Sequence, residues 1–211
     1  MTRHLTVLGA GAWGTALAIS AARQGVAVQL WARDGAQVAE MQAQRRNVRY
    51  LPEAAFPDRL ALTADFDAAV AHAHGHGGLV IVGTPMAALA DVLQRLPEQV
   101  ATLWLCKGFE AGTGRLGHEI ARELQPSMRV GVLSGPSFAQ EVAAGLPVAL
   151  TVASTQASVC DRVVASLHHG AARIYRAEDV IGVEIGGAAK NVVAIAAGIA
   201  DGLEYGDNSK S

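Results

Sequence analysis

The sequence predicts an α/β protein: a Rossmann-like, doubly wound, mostly parallel sheet followed by one long helix. Three observations carry that expectation. The β-rich run Leu5–Leu8 opens directly into the glycine-rich Gly9-Ala10-Gly11-Ala12-Trp13-Gly14 and then a helical pattern. Short apolar runs alternate with helical ones as far as Arg176, the order that builds parallel sheets from crossover helices. Finally, Asp179–Gly202 is apolar over a length that suits a single helix.

Each element has a local reason. Strand, G-x-G-x-x-G, helix (Thr15–Gln24) and second strand (Val26–Trp31) follow one another in the order that binds a dinucleotide. Gly9 permits the tight turn, Gly11 lets backbone approach a pyrophosphate, and Gly14 lets helix and strand pack closely. The diphosphate is then expected on free amides at the helix N-terminus. An acid commonly ends the second strand of NAD binders. Here Arg33 stands at that end and Asp34 follows, so NADP is permitted, NAD stays in play, and the choice is open.

A helix is expected over Gly35–Arg46, then an irregular Asn47–Pro52, a third strand near Leu60–Thr63 and a helix from about Asp65 to Ala73. His72, His74 and His76 alternate beside glycines and without a carboxylate, which reads as a solvated loop and not as a metal site. The strand Leu79–Val82 ends in Gly83-Thr84-Pro85, a second strand end facing the presumed cofactor edge. Thr102–Leu105 is a fifth strand, ending in Cys106-Lys107-Gly108. Lys107 is thereby placed at a carboxyl end of the sheet, where a charged substrate or cofactor binds, while Cys106 reads as a core cysteine. After a helix near Leu116–Leu124 and the strand Arg129–Leu133, Ser134-Gly135-Pro136-Ser137 opens another helix whose amides and hydroxyls can hold an anion or a carbonyl. A strand over Val148–Val152, a helix over Gln156–His169 and a strand over Arg173–Arg176 complete the sheet.

In the long helix, Gly182, Gly186 and Gly187 precede Lys190 and Asn191. Glycine inside a helix costs about 0.5–1 kcal/mol relative to alanine, so the three together cost about 2–3 kcal/mol. A backbone or flat ligand pressed against the helix offsets that cost. Gly186 and Lys190, one turn apart, share a face, and a single ammonium is expected to project from a smooth glycine floor. Burial against those glycines should disfavour its charged form.

With 51% hydrophobic residues, 17% charged residues and a formal net charge of -2, the composition describes a packed domain and not a nucleic-acid binder. Glu184, Lys190 and Asn191 argue against membrane insertion of the apolar stretch. Two cysteines, Cys106 and Cys160, suit a reducing cytoplasm and form no zinc pattern. Met1–His4 runs straight into a strand and leaves no room for a signal peptide.

Four motifs occurring in order, GAGAWGTALA (9–18), CKGFE (106–110), SGPSFAQE (134–141) and GGAAKN (186–191), closely resemble bacterial NAD(P)-dependent glycerol-3-phosphate dehydrogenase. The resemblance implies interconversion of dihydroxyacetone phosphate and sn-glycerol 3-phosphate, in the service of phospholipid synthesis. It makes Lys190 the acid/base and puts Lys107 against both substrate and cofactor. Gly135, Ser137 and Asn191 join the substrate site, while Ala12, Trp13, Arg33 and Ala139 touch the nucleotide. It divides the chain into a Rossmann-like domain over 1–178 and, over 179–211, an interdomain helix with the start of an all-helical domain. A homodimer is compatible with it. The family's further helical domain, with its substrate-binding arginine, lies beyond these 211 residues, so this chain is expected to bind nucleotide and turn over slowly or not at all. Two rivals remain: a non-catalytic NAD(H)-binding module, and a dehydrogenase of another small phosphorylated or carboxylated hydroxy compound.

Overall fold

The computed structural model describes residues 3–74 and 77–204. Its central sheet has eight strands: β1 (His4–Leu8), β2 (Ala27–Trp31), β5 (Leu60–Thr63), β6 (Leu79–Val82), β7 (Ala101–Trp104), β8 (Val130–Ser134), β9 (Val148–Ala153) and β10 (Ala172–Ala177). Their spatial order is β10-β9-β8-β7-β6-β1-β2-β5. All neighbours run parallel except β8 and β9, which pair antiparallel. The mostly parallel, doubly wound sheet expected from the sequence is therefore what forms. The chain winds outward from β1 through β2 to β5, then returns to lay β6, β7 and β8 on the other side. The crossover point between β1 and β6 is where such sheets place ligands.

Strand residues alternate between faces, so each face needs its own cover. On one side Leu5, Val7, Leu79 and Ile81 pack under α1 (Ala12–Arg23), α2 (Gly35–Gln44), α6 (Ala139–Ala144) and α7 (Ala157–Leu167). On the other, Val80, Val82 and Trp104 pack under α3 (Phe66–His74), α4 (Leu89–Gln94) and α5 (Gly117–Leu124). The last helix, α8 (Val180–Gly202), leaves this sandwich near the ends of β8 and β9.

Three local expectations are corrected. The segment read as irregular after Asn47 is a small antiparallel pair, β3 (Arg46–Asn47) with β4 (Leu51–Ala55). Its anchor is Asn47, fully buried, whose amide donates to Ala10 O and Thr15 Oγ1, both at 2.9 Å. His72 and His74 lie on α3 rather than in a loop, and His72 packs against Thr6 (3.2 Å) and His4 (3.3 Å). His76 lies outside the described residues. Helix α1 begins at Ala12, three residues before the apolar pattern announces it, because the glycine loop itself supplies the first turn.

Candidate active site

Over the carboxyl ends of β1, β2, β6 and β7 lies a groove of about 1070 Å³. Gly9, with φ of 123°, makes the turn out of β1, and a Cβ there would stand 2.8 Å from the Gly83 carbonyl. Gly14 presses helix on strand so closely that a Cβ would fall 2.2 Å from Gly9 O. Gly11 differs: nothing lies within 4 Å of where its Cβ would be, although the residue lines the groove. The three glycines thus divide as the sequence predicts, two for chain packing and one left clear for a ligand. Gly11 caps α1 without a side-chain bond, and no acidic residue occupies the first turn, so the helix opens on bare amides. Thr84, also on the groove, has a buried hydroxyl with no partner among the described residues. Cleared space, bare amides and a waiting hydroxyl fit a dinucleotide.

Trp13 and Arg33 line the same groove. Ala12 and Ala139 instead pack against the core beside it, so any nucleotide contact of theirs is through backbone or edge. Asp34 accepts from Ala36 N at 2.9 Å and so caps α2. Arg33 carries no such local duty among the bonds of the described residues. Two lining residues that sequence reasoning missed, Arg49 and Tyr50, come from the connection between β3 and β4. No local signal marked them: the hairpin is pinned behind the glycine loop by the buried Asn47, whose partners Ala10 and Thr15 are distant in sequence.

Past the groove floor the chain leaves β7 through Cys106 and Lys107. Cys106 packs against the core as expected and also lines the groove, and burial pushes its thiol up to about 12, so it stays protonated. Lys107 keeps exposed surface, but α8 is seated on its stem: a Cβ at Gly187 would be 3.5 Å from Lys107 Cγ and 3.1 Å from Ser134 Oγ. Desolvation, and secondly the charge of Lys190, hold the Lys107 ammonium below its usual range. Lys190 sits one turn further along α8 on an exposed flank, its Nζ 5.9 Å from the Phe138 ring centroid.

The glycine floor is therefore arranged differently from expectation. Gly187, not Gly186, is the contact glycine; Gly186 faces open space. At Gly182 a Cβ would stand 2.1 Å from the Asp179 carboxylate that caps the helix, so a larger residue there would displace the cap. Desolvation acts on Lys107, whose stem lies under the helix. Ser137 Oγ is buried without a partner among the described residues, close in sequence to the Phe138 that Lys190 approaches. Gly135 has a packing reason, because a Cβ would meet Ala149 O at 2.7 Å. Asn191 lies on α8, and its side chain is outside the described residues. No group of three or more His, Cys, Asp or Glu forms a metal-holding cluster among the described residues.

Glu184, on the buried side of α8, was weighed in the sequence only as an obstacle to membrane insertion. Its side chain is 4% exposed and accepts from Trp104 Nε1 (2.9 Å), His118 N (3.2 Å) and His118 Nδ1 (2.5 Å). By length and composition α8 is apolar enough to cross a membrane, but this carboxylate ties its first turns to the sheet.

The family model for the NAD-dependent glycerol-3-phosphate dehydrogenase N-terminus matches residues 4–160, and the one for the C-terminus of the same enzyme matches 179–211. The glycerol-3-phosphate dehydrogenase [NAD(P)+] of Leptothrix cholodnii is 56% identical over 217 residues, covering 99% of this chain and 64% of the relative. That of Methylibium petroleiphilum is 56% identical over 209 residues, covering 99% and 62%. The crystal structure of glycerol-3-phosphate dehydrogenase from Coxiella burnetii superposes with a TM-score of 0.88 at 38% identity, covering 99% of this chain and 64% of that one. The chain thus spans a little under two thirds of the length of these relatives.

Proposed function

We propose, for a chain that belongs to the NAD-dependent glycerol-3-phosphate dehydrogenase family, the interconversion of dihydroxyacetone phosphate and sn-glycerol 3-phosphate with NAD or NADP as cofactor. The observation that supports this reading is that the charge of Lys190 on α8 is felt by Lys107, which directly follows the groove-lining Cys106 at the end of β7. The sequence has three lysines against fourteen arginines, and Lys107 and Lys190 are two of the three. Arginine stays charged under all working conditions, whereas lysine can give up a proton. A lysine suits a position from which a proton is to be given and taken back.

When bound, the nicotinamide supplies or accepts the hydride. Lys190 donates a proton to the substrate oxygen in the reducing direction and takes it back in the oxidising one. Lys107, its charge disfavoured by the covering helix, binds and polarises the oxygen as negative charge develops. The buried Ser137 hydroxyl and the backbone beside Gly135 orient the substrate, and Asn191 assists from α8. Gly9, Gly11, Ala12, Trp13, Gly14 and Ala139 form the nucleotide cradle, with Arg33 at its adenosine end. Residues 1–178 act as the nucleotide domain and α8 as the bridge to the helical part that the longer relatives carry. Two free cysteines, one with a strongly raised thiol, suit a reducing cytoplasm.

The test is nucleotide-dependent oxidation of sn-glycerol 3-phosphate, measured for this chain alone and joined to the remaining segment of a relative. Lys190→Ala in the joined protein is expected to lower kcat by at least about a hundredfold, the usual worth of a general acid/base. Affinity for the dinucleotide should be nearly unchanged. Equal turnover in the variant removes Lys190 from the chemistry. A second reading, a module that binds dinucleotide without reacting, is favoured by the exposed apolar face of α8. Tight nucleotide binding with no turnover in the joined protein would establish it.

A further inference from the structure

Glu184 has no part in the chemistry above, yet it is the most buried charged side chain near the lysine pair. We propose that Glu184 is a positioning residue, clamping the helix that carries Lys190 onto the strand that delivers Lys107. The proposal rests on reading the two lysines as a working pair, and its test reads no turnover, so the two can fail separately.

The geometry supplies the argument. A carboxylate taken out of water is costly unless every lone-pair direction is met. Glu184 meets that demand with donors from two other elements: the indole N–H at the end of β7 and both the backbone and ring N–H of His118 in the first turn of α5. The indole in turn needs an acceptor in a site with no water. Helix α5 approaches this closely because residue 117 is glycine: a Cβ there would be 2.7 Å from Trp104 Nε1 and 2.9 Å from Glu184 Oε1. Space has been cleared on α5 for this carboxylate.

One turn along α8, Gly187 rests on Ser134 Oγ and the Lys107 stem. The helix is held by hydrogen bonds at 184 and by steric contact at 187. Two points on one face set both its height and its rotation, and hence where Lys190 emerges, six residues after Glu184 and about 9 Å along the axis. Apolar packing alone allows a smooth helix to turn or slide; directional bonds to Trp104 and His118 do not. The titratable groups around the clamp are His118, in direct contact with the carboxylate, the neutral Cys106 thiol, which feels Glu184, and Lys107, which feels Lys190 on α8.

Because α8 desolvates Lys107, the titration of Lys107 reports where the helix sits. With three lysines in the sequence, ¹³C-methylated lysine resonances can be assigned by single Lys→Arg changes and titrated one by one. In Glu184→Ala, Lys107 is expected to titrate at higher pH than in the parent chain as the helix lifts. Amide exchange over residues 184–190 should accelerate by at least about tenfold, the loss of one charge-assisted bond. Glu184→Gln can still accept from Trp104 and should keep Lys107 at or below its parent position. His118→Ala, which removes one donor, is expected to shift Lys107 in the same direction as Glu184→Ala but less. A folded Glu184→Ala chain in which Lys107 titrates as before overturns the proposal. So does failure of both Glu184→Ala and His118→Ala to fold, which makes the cluster a requirement of the fold and not of lysine placement.

Discussion

Residue by residue, the nucleotide loop separates packing from binding. Gly14→Ala forces a methyl group to 2.2 Å from Gly9 O. It should destabilise the chain by about 1–3 kcal/mol through overpacking, and NADH affinity should fall with the displaced loop. Gly11→Ala meets no protein atom. Its melting temperature should hold while NADH affinity drops by at least about tenfold, since the methyl group takes space meant for pyrophosphate. Calorimetric titration beside a thermal melt distinguishes the two, and similar behaviour of both variants defeats the division of roles. Asn47→Leu leaves the loop carbonyl of Ala10 without its buried donor and should cost about 1–3 kcal/mol in urea denaturation. Lys107 gives a pH signature. Its folded titration lies below the ordinary 10.5, so the unfolded chain binds more protons between those two points. Stability should therefore rise with pH through that window, with the full penalty of the charge present below it. Lys107→Met is expected to raise the melting temperature at neutral pH by a few degrees at most, about 1 kcal/mol or less for a residue that keeps exposed surface. That gain should vanish above pH 10.5.

At the level of elements, α8 is two helices in one. Its first part is capped by Asp179, whose carboxylate accepts from Gly182 N at 2.8 Å, and is clamped at Glu184 and Gly187. Its second part shows Val192, Val193, Ile195 and Ile199 to the exterior, each more than half exposed. Amide exchange should be slow over 183–190 and at least about tenfold faster over 193–202, because opening free energy follows local burial. Asp179→Ala should speed exchange of the first turn alone, by loss of a cap worth about 1 kcal/mol. Uniform protection along all of α8 contradicts this picture.

For the molecule as a whole, Ile185, Val192, Ile195 and Ile199 recur at helical spacing and form one apolar stripe on the outside. Stripes of this kind are covered in stable proteins, and this chain covers only 64% and 62% of the length of two of its relatives. The chain alone is expected to self-associate in sedimentation experiments, and joining it to the remaining segment of a relative should return one discrete species. Val192→Glu with Ile195→Lys should reduce self-association of the chain alone without changing nucleotide affinity. Persistence of the aggregate in that double variant means another surface is responsible.

The alternation of strand and helix, the sheet type, the glycine loop and the arrival of Lys107 at a strand end were legible in the chain, because each is written in neighbours within one turn or one strand. Asn47 was not: its partners, Ala10 and Thr15, lie more than thirty residues away, and nothing local marks a buried asparagine. Nor was the true task of each glycine in α8. Periodicity put Gly186 beneath Lys190, but which face of a uniformly apolar helix turns inward is undetermined until something else touches it. Trp104, His118 and the Lys107 stem decide that, by placing Glu184 and Gly187 inward. Sequence alone determined that a dinucleotide fold would present two lysines. The rotation of one helix, set by contacts distant in the chain, decided which of them is covered and which stands free.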